Sequence, residues 1–217
     1  DMDFERHLAE KGKLKILKPL IELTKKVRFF YTRQYEPLGN GHALLCAREF
    51  LGDDPFVFSD GDSIIDSKTP VGRQLLDGFA GVDGSVIGAQ KISDRQRMTK
   101  YGNIYGEPDV RNAKIAKLRN VYRVEKFVEK PDVDSVSPHG LIVGGMRYVF
   151  TSDIWPILER QKPGRDGEIW LADAANTLAK QKPFYAYEYD GKYFDTGDKA
   201  ALLKAAIHFA EKEGLVL

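Results

Sequence analysis

Two stretches of this chain carry residues whose types and spacing suit phosphate and metal chemistry. Glu36-Pro37-Leu38-Gly39-Asn40-Gly41-His42-Ala43 sets glycines at the mouth of an apolar run, and Phe56-Val57-Phe58-Ser59-Asp60-Gly61-Asp62 ends an apolar run in carboxylates. Glycines let a backbone approach a flat or phosphorylated ligand closely. A carboxylate just past the end of a parallel strand sits where open α/β sheets bind ligands and metals. The two stretches together predict a nucleotide site with a divalent cation.

The carboxylates have to be weighed one at a time. Asp60, Asp62 and Asp66 form a D-x-D-x-x-x-D pattern, which suits local turns and caps as well as metals, because aspartate bonds readily to nearby backbone. Phe194-Asp195-Thr196-Gly197-Asp198-Lys199 is a second strand end, where Asp195 or Thr196 is also a candidate helix cap. Two strand-end aspartates can share one Mg²⁺, which takes one or two carboxylates and fills its shell with water and phosphate oxygens. No His/Cys spacing supports zinc. His7, His139 and His208 are scattered, and only His42 lies in a candidate site, where helix capping accounts for it as well as chemistry does. Val128-Glu129-Lys130-Pro131 reads as an exposed strand end stopped by proline. Its functional alternative is a Glu129 that accepts from sugar hydroxyls beside a Lys130 that holds a phosphate as a point charge.

The elements that must position these residues follow from hydrophobic spacing. Phe4 to Thr24 repeats at helical intervals, Val27 to Tyr31 is rich in β formers, and Gly41 to Phe50 reads as a helix. Pro55 to Ser59 is continuously apolar, as in a strand buried on both faces with parallel neighbours. Helix Pro70 to Phe79, strand Ser85 to Gln90 and a polar linker Lys91 to Thr99 come next. Ile115 to Glu129 alternates as antiparallel strands do, and Gly140 to Phe150 is a further apolar strand. Thr151 or Ser152 is set to cap a helix holding Trp155, which stops before Lys162-Pro163-Gly164. A helix through Ala179, a strand Phe184 to Tyr189 and a closing helix Lys199 to Glu213 complete the chain.

Composition narrows the partners. With 217 residues, 33 basic against 32 acidic side chains and a net charge of +1, no global field favours nucleic acid or an anionic membrane. Cys46, the single cysteine, cannot form an internal disulfide and lies in an apolar helix run. No apolar run is long enough to span a bilayer and the first residues do not read as a signal peptide, so a cytoplasmic protein is expected.

In order, Arg33-Gln34, Pro37 to Ala43, Leu45-Cys46-Ala47, the strand ending in Asp62, Tyr101-Gly102, Val128 to Pro131, Arg147-Tyr148-Val149, Gly167-Glu168-Ile169, Leu171, Asp173-Ala174 and Asp195 with Gly197 and Lys199 resemble the sugar-nucleotidyltransferases. Within them the likeness is to the uridylyltransferases that act on glucose 1-phosphate, and it spans nearly the whole chain. The resemblance implies one α/β domain over 1–217, Rossmann-like, with a mixed, mostly parallel central sheet flanked by helices and a small antiparallel appendage. It also implies synthesis of UDP-glucose and pyrophosphate from UTP and glucose 1-phosphate. Residue by residue, Gln34 and the Gly39 to Gly41 backbone, with His42 beside them, would recognise uracil. Asp62 and Asp195 would hold Mg²⁺ and serve catalysis together with Lys130. Gly102 would meet the hexose through its backbone, Glu129 would bind sugar hydroxyls, Lys130 the sugar phosphate and Lys199 a further phosphate.

The sequence departs from the family in one large respect. The family's first strand and its G-x-G-T-R loop with a following lysine have no counterpart here, and Asp1-Met2-Asp3-Phe4-Glu5 looks like the segment after the second strand. Full turnover is therefore expected to need a segment absent from these residues, and an apolar sheet edge is expected to lie unpaired. A homo-oligomer is the expected assembly. The metal strand leaves Asp60 as a rival to Asp62. The Asp195-Thr196-Gly197 turn resembles the thymidylyltransferase relatives, so a thymidylyltransferase and a non-catalytic sugar-nucleotide binder are the competing expectations.

Overall fold

The computed structural model describes residues 2–109 and 120–215. The chain divides into two compact units, Asp1–Arg33 and Gln34–Leu217. In the first, helix α1 (Met2–Glu10), a 3-10 turn (Leu14–Leu17) and helix α2 (Lys18–Thr24) follow one another. Pro19 sits in the first turn of α2, where its missing N–H costs nothing. Val27 to Tyr31 forms no strand. Its β-forming residues find no neighbouring strand to pair with inside this unit, and β propensity without a partner decides little.

The second unit holds α3 (Asn40–Leu45), α4 (Arg48–Leu51), β1 (Phe56–Ser59), β2 (Ser63–Asp66), α5 (Val71–Ala80), β3 (Ser85–Lys91), α6 (Arg95–Met98), β4 (Gly102–Pro108), β5 (Val121–Glu129), β6 (Leu141–Phe150), α7 (Trp155–Arg160), α8 (Leu171–Gln181), β7 (Phe184–Glu188), β8 (Lys192–Asp195) and α9 (Lys199–Lys212). The helix expected over 41–50 is thus broken into α3 and α4, and the linker over 91–99 contains α6. Of the alternating run from Ile115, the part up to residue 119 lies outside the described residues. The remainder is β5, which pairs antiparallel with β4 inside the main sheet.

The main sheet runs β1-β6-β3-β7-β5-β4. Strands β1, β3, β7 and β4 point one way and β5 and β6 the other, but β6 separates β1 from β3, so among the described residues only the β3–β7 ladder is parallel. The expectation of parallel pairing for β1 is corrected accordingly. Phe56 to Ser59 lies antiparallel to Arg147 to Phe150 at the end of the sheet order, Phe56 is buried and Val57 is 43% exposed. A continuous apolar run marks a strand without naming its neighbour. The small antiparallel appendage is β2 with β8, in register Ser63↔Asp195 to Asp66↔Lys192.

Adjacent residues along the central strands feed two cores, as strand alternation requires. Ile87, Tyr148, Phe150, Phe184 and Ala186 join Leu44, Trp155, Leu158, Leu171 and Leu178 from α3, α7 and α8. Val86, Val149 and Tyr185 join Val71 and Leu75 from α5. Trp155, 1% exposed, stacks on Phe56 at 4.9 Å and donates its indole N–H to the Gly52 carbonyl at 2.9 Å. The sheet is therefore covered by helices on both faces, and its loops are left to build the site. No helix among the described residues is long and apolar enough to cross a membrane.

Candidate active site

The site begins with an irregularity in β6. Against β3, Ile87 pairs with Tyr148 but Ala89 pairs with Val143, so Gly144 to Arg147 bulge opposite the single residue Gly88. Bulges bend a strand and re-aim its side chains, and they recur beside active sites. Gly145 takes φ +69° and Met146 φ 32° within this bulge. A Cβ on Gly145 would also stand 3.0 Å from the Tyr193 ring. Met146 is thereby thrust between two hollows and lines both.

The first hollow, about 420 Å³, lies along β1 and is lined by Asn40, Ala43, Leu44, Phe58, Asp60 and Met146 among others. The Pro37 to Ala43 loop on its rim is stitched to a distant segment. Gly41 N–H donates to the Ile169 carbonyl at 2.8 Å, and Ile169 N–H donates to Leu38 at 2.8 Å. A Cβ on Gly39 or Gly41 would come within 2.8 or 2.7 Å of the Ile169 carbonyl oxygen. The glycines thus admit the chain at Glu168-Ile169, a closer visitor than the ligand expected from sequence. Asn40 accepts from Leu171 N–H at 2.9 Å, at the start of α8. Gln34 donates to the Gly39 carbonyl at 3.0 Å and meets His42 Nδ1 at 2.8 Å, so both side chains hold the loop.

The second hollow, about 250 Å³, is lined by Lys100, Tyr101, Gly102, Glu129, Lys130, Tyr193 and Asp195 together with the bulge. Gly102 and Glu129 are partners in the β4–β5 ladder. Lys130 takes φ 45° directly before Pro131, with its N–H donating to the Tyr101 carbonyl at 3.2 Å. A non-glycine residue in the left-handed region is unusual, and such backbone gathers at ligand-binding sites. The Lys130 ammonium lies 4.0 Å from Glu129 Oε1, with both side chains more than half exposed. Burial pushes the Tyr193 phenol up to about 12, against a bond from Ser63 that lowers it and with Asp195 and Asp60 adding to the rise. It is a neutral hydroxyl at physiological pH.

Asp60 and Asp62 sit in different surroundings. Asp60 Oδ2 accepts from the Ser63 hydroxyl at 2.8 Å and Oδ1 from Arg147 Nη1 at 2.5 Å, so its carboxylate is already committed. Burial raises its carboxyl above the usual range, only partly offset by Ser63 and Arg147. Asp62 instead has its main-chain carbonyl bonded by Thr196, through both N–H (3.1 Å) and hydroxyl (2.6 Å). Thr196 therefore does not cap α9, and neither does Asp195, whose Oδ1 accepts from Gly197 N–H at 2.9 Å. The cap is Asp198, which accepts from Ala201 N–H at 2.8 Å. Likewise Thr151 bonds Asp153 at 3.0 Å and makes no cap bond to the turn it precedes.

Among the described residues no cluster of three or more His, Cys, Asp or Glu is arranged to hold a metal by itself. Two carboxylates, Asp62 in the turn before β2 and Asp195 at the end of β8, suit a Mg²⁺ that completes its shell from phosphate and water rather than a protein-only centre. Asp62 and Lys199 are not among the residues lining the second hollow; Asp62 lies at the turn before β2 and Lys199 opens α9. Met146 and Tyr193 were not singled out from sequence, and Asn40 and Arg147 were given no role there beyond the motifs that contain them. For Arg147 the one signal was its place in the Arg147-Tyr148-Val149 run that carries the family resemblance.

The chain thus presents a mixed sheet with helices on both faces, a bulged central strand, and a hollow where Asp195 meets the Glu129-Lys130 pair. The nucleotidyl transferase family profile matches residues 2–212, and the chain belongs to that family. More narrowly, it is 37% identical over 211 residues to the UTP–glucose-1-phosphate uridylyltransferase of Bacillus subtilis (strain 168), covering 97% of this chain and 68% of the relative. A uridylyltransferase of Staphylococcus saprophyticus is equally similar, at 37% with 69% of its length covered. Among solved structures, an apo UDP-glucose pyrophosphorylase superposes with a TM-score of 0.84 at 30% identity, over 98% of this chain and 75% of the other. A UDP-glucose pyrophosphorylase complexed with UDP-glucose gives 0.80 at 30%, over 96% and 78%.

Proposed function

We propose that this chain belongs to a cytoplasmic, homo-oligomeric UTP–glucose-1-phosphate uridylyltransferase that forms UDP-glucose and releases pyrophosphate. The observation that carries this reading is the hollow where Gly102, Glu129, Lys130 and Asp195 meet, in a chain whose relatives are uridylyltransferases. Apolar Leu202 and Leu203, more than half exposed on α9, support assembly with a second copy.

In this reading Glu129 accepts from the hexose hydroxyls while the bare Gly102 leaves room for the ring. Lys130 neutralises the sugar phosphate, and Lys199 contributes a second positive charge from the start of α9. Gln34, His42 and the Gly39 to Gly41 backbone hold and read the base. A phosphate oxygen of glucose 1-phosphate attacks the α-phosphorus of UTP, forming the new P–O bond as the bond to the pyrophosphate oxygen breaks. No covalent bond to the protein is needed, so catalysis is positioning and charge neutralisation. Mg²⁺ bound by Asp62 and Asp195 would neutralise charge on the phosphates as they react.

The deciding experiment is pyrophosphate release from UTP, glucose 1-phosphate and Mg²⁺, run beside dTTP. Turnover that prefers UTP and is lost in Asp62→Ala supports the reading. A preference for dTTP replaces it with thymidylyl transfer, and UDP-glucose binding without any turnover in a protein that also carries the family's first strand and glycine loop replaces it with a recognition role.

A further inference from the structure

Arg147 ties together the backbone on both sides of Asp62. It pairs with Ser59 at the end of the β1–β6 ladder, and its side chain, 17% exposed, reaches into the turn between β1 and β2. There Nη1 donates to Asp60 Oδ1, to the Gly145 carbonyl at 2.9 Å and, at a longer 3.3 Å, to the Asp60 carbonyl. Nη2 donates to the Ser63 carbonyl at 2.8 Å. One guanidinium thus holds the β6 bulge, the residue two before Asp62 and the residue after it. Asp62 itself is held from the other side by Thr196, and Ser63 stands opposite Asp195 in the β2–β8 ladder.

Only arginine can do this with one side chain. Its planar fork presents five donors in fixed directions, whereas lysine offers a point charge on a flexible stem. A largely buried ion pair is a weak source of stability, and leaving one member unpaired is costly, so the geometry calls for a reason beyond stability. We propose that Arg147 is a positioning residue for the metal carboxylate: it fixes the Asp60 to Ser63 turn so that Asp62 and Asp195 serve one cation. The proposal rests on the assignment of Asp62 and Asp195 as metal ligands made above. It differs from that assignment in naming what sets the distance between them.

The test is Mn²⁺ binding, read by electron paramagnetic resonance on the full chain with UDP-glucose present, for wild type, Asp62→Ala, Arg147→Ala, Arg147→Lys and Asp60→Asn. UDP-glucose affinity is measured separately without metal. The expected result is a Mn²⁺ affinity about 10–100-fold weaker in Arg147→Ala, as outer partners of metal ligands typically give. Asp60→Asn, which keeps the side-chain shape, shifts in the same direction, Arg147→Lys falls between, and metal-free UDP-glucose affinity stays within about twofold. Mn²⁺ affinity unchanged in Arg147→Ala while Asp62→Ala abolishes it overturns the proposal and leaves the ligand assignment standing. Loss of both Mn²⁺ and UDP-glucose binding in Arg147→Ala, with Asp60→Asn indistinguishable from wild type, overturns it in favour of a merely structural role. No effect of Asp62→Ala removes the assignment and the proposal with it.

Discussion

Gly102 and Glu129 face each other across the β4–β5 ladder so closely that a Cβ on Gly102 would stand 2.9 Å from Glu129 Oε2 and 3.2 Å from a Val143 methyl. The missing side chain leaves room for the Glu129 carboxylate beside Gly102 in the hollow. Gly102→Ala should therefore weaken UDP-glucose binding by roughly tenfold or more, about 1.4 kcal/mol, with little change in the unfolding midpoint. Titration calorimetry beside thermal unfolding measures both; unaltered affinity would mean that the sugar does not occupy this hollow.

Asp62→Ala and Asp195→Ala should each lower turnover on the order of 10³-fold, the several kcal/mol that a metal contributes to charge stabilisation. Asp60→Ala should act differently. It strands Arg147 without its carboxylate, so the unfolding midpoint falls along with the activity. Steady-state kinetics and denaturant unfolding on the three variants separate a ligand from a support.

Gly41→Ala forces a Cβ to 2.7 Å from the Ile169 carbonyl oxygen and 2.9 Å from its Cγ2. Overpacking of this kind costs about 1–3 kcal/mol. Denaturant titration should show that loss, and an Ile169→Ala background should relieve only part of it, because the closer clash is with backbone.

Asp66 carries the clearest pH dependence. Its carboxylate accepts from Lys212 Nζ and from His208 Nε2 at 2.8 Å, and these bonds, Lys212 first and His208 next, hold its carboxyl below the usual range. A carboxyl depressed in the folded state contributes stability above its unfolded value of about 3.9, and that contribution is lost as pH falls through the folded value. Asp66→Asn should thus be less stable than wild type at neutral pH and converge with it in strong acid. Unfolding midpoints measured from pH 7 down to about pH 2 would show the convergence.

Much of the framework was legible because it rests on periodicity. β3, α5, β6, α8 and α9 lie within a residue or two of where the apolar spacing puts them. The neighbours of β1 were not legible, since strand order depends on a β6 that arrives much later in the chain. Glu129, Lys130 and Asp195 could be singled out from strand ends and turns, and they do share a hollow. Met146 went unremarked, and Asn40 and Arg147 stood only inside longer motifs with no role of their own. Their meaning comes from a bulge opposite Gly88 and from bonds to Leu171 and the Asp60 turn, which exist only after folding.

The bonds joining Leu38 and Gly41 to Ile169 bear on the order in which the protein is expected to assemble. That closure spans most of the second unit, and contacts between residues so distant in sequence are entropically expensive to form early. The sheet and the Trp155 core can assemble while the Pro37 to Ala43 loop is still open. On refolding, fluorescence from the interior should then recover before the Pro37 to Ala43 loop closes on Ile169, which makes that closure the late step of assembly.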